Sequence, residues 1–334
     1  MITTTAIIFA SLFIQDAPAT PAPASVVTKA AATQTPPVVI VAIGAPGTEE
    51  FGKSFTEWGN LWEAAGKLGQ AKVVRLEGRG GAKTDRDLMK ATIEASPVTT
   101  PLWIVLLGHG TFDDRSAKFN LRGPDVAGKE LNEWLGKDRK VAIVNCASAS
   151  APFINRLSGK NRVVVTATKS GLEHNYARFG EYLAKVIADA SIDLDKDGQT
   201  SLLEAWLVAA RRTQDFYKEN GRLATEHALI DDNGDERGTR FDAFVGVRPV
   251  ARSKGGALDG FRAHQWHLVR GKLERSMPAR LVAERDDLEM AVIRLRENRS
   301  EYREEDYYAE LEQLLVPLAV LYEQAEQSAA KETK

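Results

Sequence analysis

Leu102-Trp103-Ile104-Val105-Leu106-Leu107-Gly108-His109-Gly110 and Val141-Ala142-Ile143-Val144-Asn145-Cys146-Ala147-Ser148 are the two stretches that decide the fold. Each is a short apolar run closed by small or polar residues, the pattern of a strand buried on both faces. Between them Val126, Leu131, Trp134 and Leu135 fall at helical spacing. Strand, crossover helix and strand make a right-handed parallel unit. Neighbouring strands lie about 4.8 Å apart. This reading brings His109 and Cys146 out side by side at the carboxyl edge, where open α/β sheets bind ligands. Cys146 is the single cysteine of the 334 residues. A thiol beside an imidazole at a strand edge is the arrangement of a nucleophile and its base. The competing reading makes Cys146 a small buried hydrophobe and His-Gly the opening of a turn.

Working outward, residues 38–44 form a first strand, and a helix follows over 49–67 with Phe51, Phe55, Trp58, Trp62 and Ala65 on one face. The intervening Gly44-Ala45-Pro46-Gly47 lacks the glycine fingerprint and the Lys-Ser/Thr of a phosphate loop, and reads as a turn. Residues 72–76 are a second strand, and Leu88, Met89 and Ile93 mark a second helix. The loop over 111–128 is long for an α/β connection, as site-lining loops are. A short helix around 152–157, a strand over 162–168 and helices over 176–190 and 201–220 complete the pattern. Such alternation predicts an α/β fold: a doubly wound, mainly parallel sheet with helices on both faces. From about Ala257 the stripes Leu281, Leu288, Val292, Leu295, Tyr302 and Leu311, Leu314, Leu318, Leu321, Ala325 predict two paired helices, with Pro317 kinking or interrupting the second. The expected division is therefore a domain over 37–250 and a C-terminal helical hairpin over 257–330.

A net charge of −2 gives no sign of nucleic acid or an anionic membrane as partner. One cysteine excludes an intrachain disulfide framework. Residues 6–14 are an apolar core of signal-peptide length, too short to span a bilayer, followed by small-residue sites in Ala17-Pro18-Ala19 and Ala22-Pro23-Ala24. The expectation is a signal peptide over 1–24, a flexible linker rich in Ala, Thr and Pro over 25–36, no membrane span after signal removal, and a secreted or periplasmic protein.

A hydrophobic strand ending in His-Gly, followed by a second ending in a small or polar residue and Cys, resembles the caspase–legumain clan of cysteine peptidases. Thr166-Ala167-Thr168 with Glu173-His174-Asn175-Tyr176-Ala177 behind it resembles the legumain family in particular. The resemblance covers about residues 37–190 and implies a caspase-like sheet acting on a peptide or protein substrate. It implies that Cys146 attacks the scissile carbonyl, that His109 protonates the leaving amine, and that the backbone N–H groups of Gly110 and Cys146 hold the oxyanion. A thiolate near an imidazolium has a lowered pKa, and fixed backbone donors stabilise developing charge. Val144 and Asn145 stand where legumains have Glu-Ala, so an asparagine preference does not carry over. No Gly-x-Ser-x-Gly elbow surrounds Ser148 or Ser150, which argues against an α/β hydrolase.

A second site stands on spacing alone. Asp193-Leu194-Asp195-Lys196-Asp197-Gly198-Gln199-Thr200-Ser201-Leu202-Leu203-Glu204 matches the twelve-residue EF-hand loop, with Gly at position 6. The predicted Ca²⁺ ligands are Asp193, Asp195, Asp197, the Gln199 carbonyl, Ser201 and a bidentate Glu204. The bland alternative is an acidic turn with a good helix cap. Asp231-Asp232-Asn233-Gly234-Asp235 is an acidic turn without that register, and His264 and His267 read as surface or packing residues. Two functions follow: a calcium-binding cysteine endopeptidase, or a catalytically silent member of that fold serving as a calcium-stabilised binding or scaffold protein.

Overall fold

The computed structural model describes residues 35–78 and 81–331. The expected signal peptide and all but the end of the linker lie outside the described residues. The first half runs β1 (Val38–Ile43), α1 (Glu49–Leu68), β2 (Lys72–Leu76), α2 (Asp85–Ala95), β3 (Leu102–Leu107), β4 (Gly110–Phe112), β5 (Ala117–Phe119), β6 (Val126–Ala127), α3 (Gly128–Leu135) and β7 (Val141–Asn145). The second runs α4 (Ile154–Leu157), β8 (Arg162–Thr166), α5 (Phe179–Val186), α6 (Leu202–Glu219), β9 (Leu229–Asp231), β10 (Phe244–Val245), β11 (Arg248–Pro249), α7 (Phe261–His264), α8 (Lys272–Ser276), α9 (Ala279–Glu297) and α10 (Glu304–Lys331).

The main sheet has the order β2-β1-β3-β7-β8-β9. Its first five strands are parallel, and β9 pairs antiparallel with β8 at the edge. Because side chains alternate along a strand, each central strand serves two cores. Val39, Val41, Trp103, Val105, Ala142 and Val144 face one core, into which α1, α5 and α6 send Trp58, Leu183 and Trp206. Ile40, Ile104 and Ile143 face the other, closed by Met89 of α2 and Leu131 of α3. This is the doubly wound α/β sheet the apolar runs predict. Strand order reverses at β1 and β3, so the topological switch point lies at their carboxyl ends.

Three regions depart from expectation. The loop over 111–128 folds into a small antiparallel sheet of β4, β5 and β6. The helix expected over 176–190 occupies only 179–186. The edge strand β9 was not foreseen; its Ile230 exchanges both backbone hydrogen bonds with Thr239, at 3.0 and 2.7 Å.

The C-terminal division also moves. Ala263, Trp266 and Leu268 are buried in the same core as Trp103 and Trp206, so residues from 259 to 268 complete the sheet domain instead of standing outside it. The fully buried Asp259 accepts from the Asp232 backbone N–H at 3.0 Å, and Asp232 accepts from those of Gly260 and Ala263. The hairpin proper is α9 with α10, joined where the Tyr322 hydroxyl donates to Glu289 at 2.7 Å. Pro317 lies within α10, which runs through it as one helix. Among the described residues no helix is long and apolar enough to cross a membrane.

Candidate active site

His109 stands two residues past the end of β3, at the switch point. Its ring meets Phe51 and Phe55 of α1 edge-on, at centroid distances of 5.4 and 5.2 Å. Its Nε2 lies 3.2 Å from the carbonyl oxygen of Pro46. A carbonyl only accepts, so Nε2 carries the proton and Nδ1 is the basic nitrogen. The turn after β1 thus orients the imidazole. A Cβ on Gly47, at φ +69°, would sit 3.4 Å from Nε2.

Cys146 does not come out beside it. The parallel register pairs Leu106 with Asn145, so its continuation sets Cys146 opposite Leu107. Cys146 therefore lies two residues, or roughly 6.6 Å along the strand, behind His109. By alternation it shares the face of Ala142 and Val144 and joins their core, only 1% exposed. Helix α5 closes over it, since a Cβ on Gly180 would come within 2.8 Å of the Cys146 Cβ. Burial pushes the thiol pKa far up, and the Glu226 carboxylate adds to the rise. This is the opposite of an activated thiolate. Among the described residues no hydrogen bond joins the thiol to His109.

Both expected oxyanion donors are already engaged. The Cys146 N–H donates to the Leu106 carbonyl at 2.9 Å as a further rung of the sheet. The Gly110 N–H donates to Ser148 Oγ at 3.3 Å. The approach is close enough that a Cβ on Gly110 would lie 2.4 Å from the Ser148 carbonyl oxygen and 3.4 Å from the Ala147 methyl. The side chains level with His109–Gly110 are thus those of Ala147 and Ser148.

The acidic loop leads from α5 into α6. Carboxylates of Asp193, Asp195 and Asp197 lie within 4.8 Å of one another and could hold a metal ion. The Asp193 carboxylate accepts from the backbone N–H groups of Asp197 and Gly198, each at 3.1 Å, which wraps the loop around it. Left-handed residues at Lys196 (φ 67°) and Gly198 (φ 90°) make the bend. Glu204 is turned to the backbone: it accepts from Leu194 and Asp195 N–H at 2.5 and 3.3 Å, and from Ser201 N–H at 2.8 Å. With the Ser201 hydroxyl it forms the capping box of α6. The donor set fits a divalent cation at the three aspartates, while Ser201 and Glu204 start the helix. The Gln199 side-chain amide donates to both Asp197 and Glu274, each at 3.1 Å.

Sequence reading missed what this loop rests on. His264 Nε2 lies 2.5 Å from Asp195 Oδ2, and that contact holds the Asp195 carboxyl below its usual range. Burial pushes Asp197 the other way. His267 packs beneath, its Nε2 4.0 Å from Asp197. Some seventy residues separate these partners, so no local pattern could have joined them; the two histidines three apart were the sole hint. Also unforeseen is the Glu173–His227 pair at 2.6 Å, beside the end of β8.

No family model matches the chain, and no curated protein does. Among solved structures it is similar to the Drosophila initiator caspase Dronc, with 13% identity, a TM-score of 0.40, and coverage of 61% of this chain and 82% of that one. So distant a likeness carries no argument about chemistry.

Proposed function

We propose that this chain is a caspase-like α/β protein that does not hydrolyse peptide bonds through Cys146, and that it serves as a calcium-stabilised binding or scaffold protein. The observation that carries this reading is the register that sets Cys146 opposite Leu107, inside the core. The legumain-like part of the resemblance rests on residues 166–168 and 173–177 alone. A peptide or protein remains the natural ligand of the carboxyl edge, and the apolar leader supports secretion or a periplasmic location.

A thiol so placed should resist a peptidyl electrophile in the native protein and react only after denaturation. Mass spectrometry of the labelled protein reads this directly, and no cleavage is expected across a broad peptide library. The second reading, a cysteine endopeptidase using His109 and Cys146, is favoured by the oriented imidazole with its basic Nδ1 at the switch point. Native labelling of Cys146, with peptide cleavage lost in both Cys146→Ala and His109→Ala, would establish that reading and remove ours.

For the loop we propose Ca²⁺ held by Asp193, Asp195 and Asp197. Binding to the folded state alone stabilises it by about 2.7 kcal/mol when free calcium is a hundredfold above Kd. Calorimetry should show one site, lost in Asp193→Asn/Asp197→Asn. Glu204→Gln should weaken binding as well, through the loop: one Glu204 oxygen accepts from Leu194 and Asp195 and the other from Ser201, so an amide NH₂ must face one of those N–H groups. Absence of heat at millimolar calcium would remove the assignment.

A further inference from the structure

At the opposite, amino edge of the sheet lies a cavity of about 440 Å³, floored by Pro37, Pro101 and Asn161 and roofed by α7 and α9. Its size falls within the range of small-molecule sites. Its charges do not cancel. Lys140 lies 3.9 Å from Asp286 and Arg270 lies 3.5 Å from Glu274. Three more cations line the cavity: Lys160 before β8, Arg262 on α7 and Arg294 on α9. Among the described residues the side chains of Lys160 and Arg294 have no hydrogen-bond or ion-pair partner. Among the described residues the one side-chain hydrogen bond of Arg262 runs from Nε to the Asp232 carbonyl at 3.1 Å, leaving its terminal nitrogens for the cavity. Burial lowers the Arg262 pKa; the Asp232 charge works against that, and repulsion from Arg294 adds to the lowering. One lining carboxylate, Asp287, has no ion-pair partner among the described residues.

His267 adds an independent observation. It lines the same cavity, its side chain is 4% exposed, and among the described residues neither ring nitrogen has a hydrogen-bond partner. The nearest carboxylates, of Glu274 and Asp197, stand 3.9 and 4.0 Å away, beyond hydrogen-bond reach. Leaving a buried donor and acceptor unmade is costly.

We propose that this cavity is a phosphate-binding site, in which Arg262, Arg294 and Lys160 surround the anion and His267 donates to it. Three cations delivered by three separate elements suit a tetrahedral, multiply charged oxyanion better than a planar carboxylate, which one guanidinium fork would satisfy. The anion is either inorganic phosphate or the phosphate of a small monoester, whose organic part would meet Trp103 and Trp266. The site is remote from the carboxyl edge and does not depend on the reading given there.

Calorimetry with inorganic phosphate and with phenyl phosphate, at matched ionic strength in chloride, tests this on the full chain. Saturable binding of at least one ligand is expected. Arg294→Gln and Lys160→Gln should each weaken it about tenfold, the scale of one charge-assisted hydrogen bond. Both side chains belong to exposed residues, so the melting temperature without ligand should not move. Tighter phenyl phosphate identifies a monoester, and equal or weaker phenyl phosphate identifies free phosphate. No binding of either at millimolar concentration overturns the proposal, as does binding unchanged in the double variant.

Discussion

A chain ending after Val250 is expected not to fold. It loses Ala263, Trp266 and Leu268 from the core that contains Trp103 and Trp206. Each large side chain so removed forfeits about 1.5–3 kcal/mol of burial. It also strips Asp232 of the Gly260 and Ala263 N–H groups and the Leu202 N–H of its acceptor, the Trp266 carbonyl at 2.7 Å. Orphaning several buried polar groups together with that loss approaches the roughly 5–15 kcal/mol that stabilises a whole domain. A chain ending after Tyr302 keeps the buried Arg285–Glu274 pair, at 2.9 Å, and gives up only α10. It should fold with a lowered melting temperature. Circular dichroism of the two truncations decides the matter: a native-like spectrum and a cooperative melt from the shorter chain would return residues 259–268 to the appendage.

The second large effect concerns pH. Burial, reinforced by the charge of Asp232, raises the Asp259 carboxyl to about 9, and burial raises Asp231 to about 6. Groups raised in the folded state bind more protons folded than unfolded, so their contribution is complete below the unfolded value near 4 and is lost as pH climbs through the folded one. Stability should therefore decline from about pH 4 upward, with the Asp259 share continuing to about pH 9. A shift of several units makes this a matter of a few kcal/mol. Asp259→Asn reproduces the neutral form: its amide oxygen still accepts from the Asp232 and Asn233 N–H groups, and its NH₂ can donate to Thr239 Oγ1. Urea midpoints between pH 5 and pH 9 should fall steeply in the parent chain and much less in this variant. Equal slopes would show that Asp259 is not the group concerned.

The strands of the sheet were legible because each central one is a near-continuous apolar run, and α1 because its aromatic residues recur at three and four. Which face Cys146 takes was also within reach, since it shares the parity of Ala142 and Val144. Its depth was not. Depth depends on how β3 and β7 slide past one another, and two uniformly apolar strands carry nothing along their length to mark the register. The catalytic expectation turned on that one quantity. For the loop, the same glutamate satisfies both the ligand pattern and the capping box, so spacing alone could not separate the two uses. β9 is three residues long, and residues 257–268 owe their place to buried carboxylates answering distant backbone N–H groups. Such nonlocal pairings leave no periodic trace.

The two borders of the main sheet bear on how copies of this chain meet. A bare edge strand is a template on which another molecule can add its own. At one border Ile230 of β9 already spends its donor and acceptor on Thr239. At the other, β2 presents exposed Lys72, and its Arg75 is held between Glu63 and Glu77, each at 3.1 Å. One border is closed by the chain's own return and the other is guarded by charge. A neighbouring copy therefore meets a strand already paired at β9 and a strand flanked by ion pairs at β2.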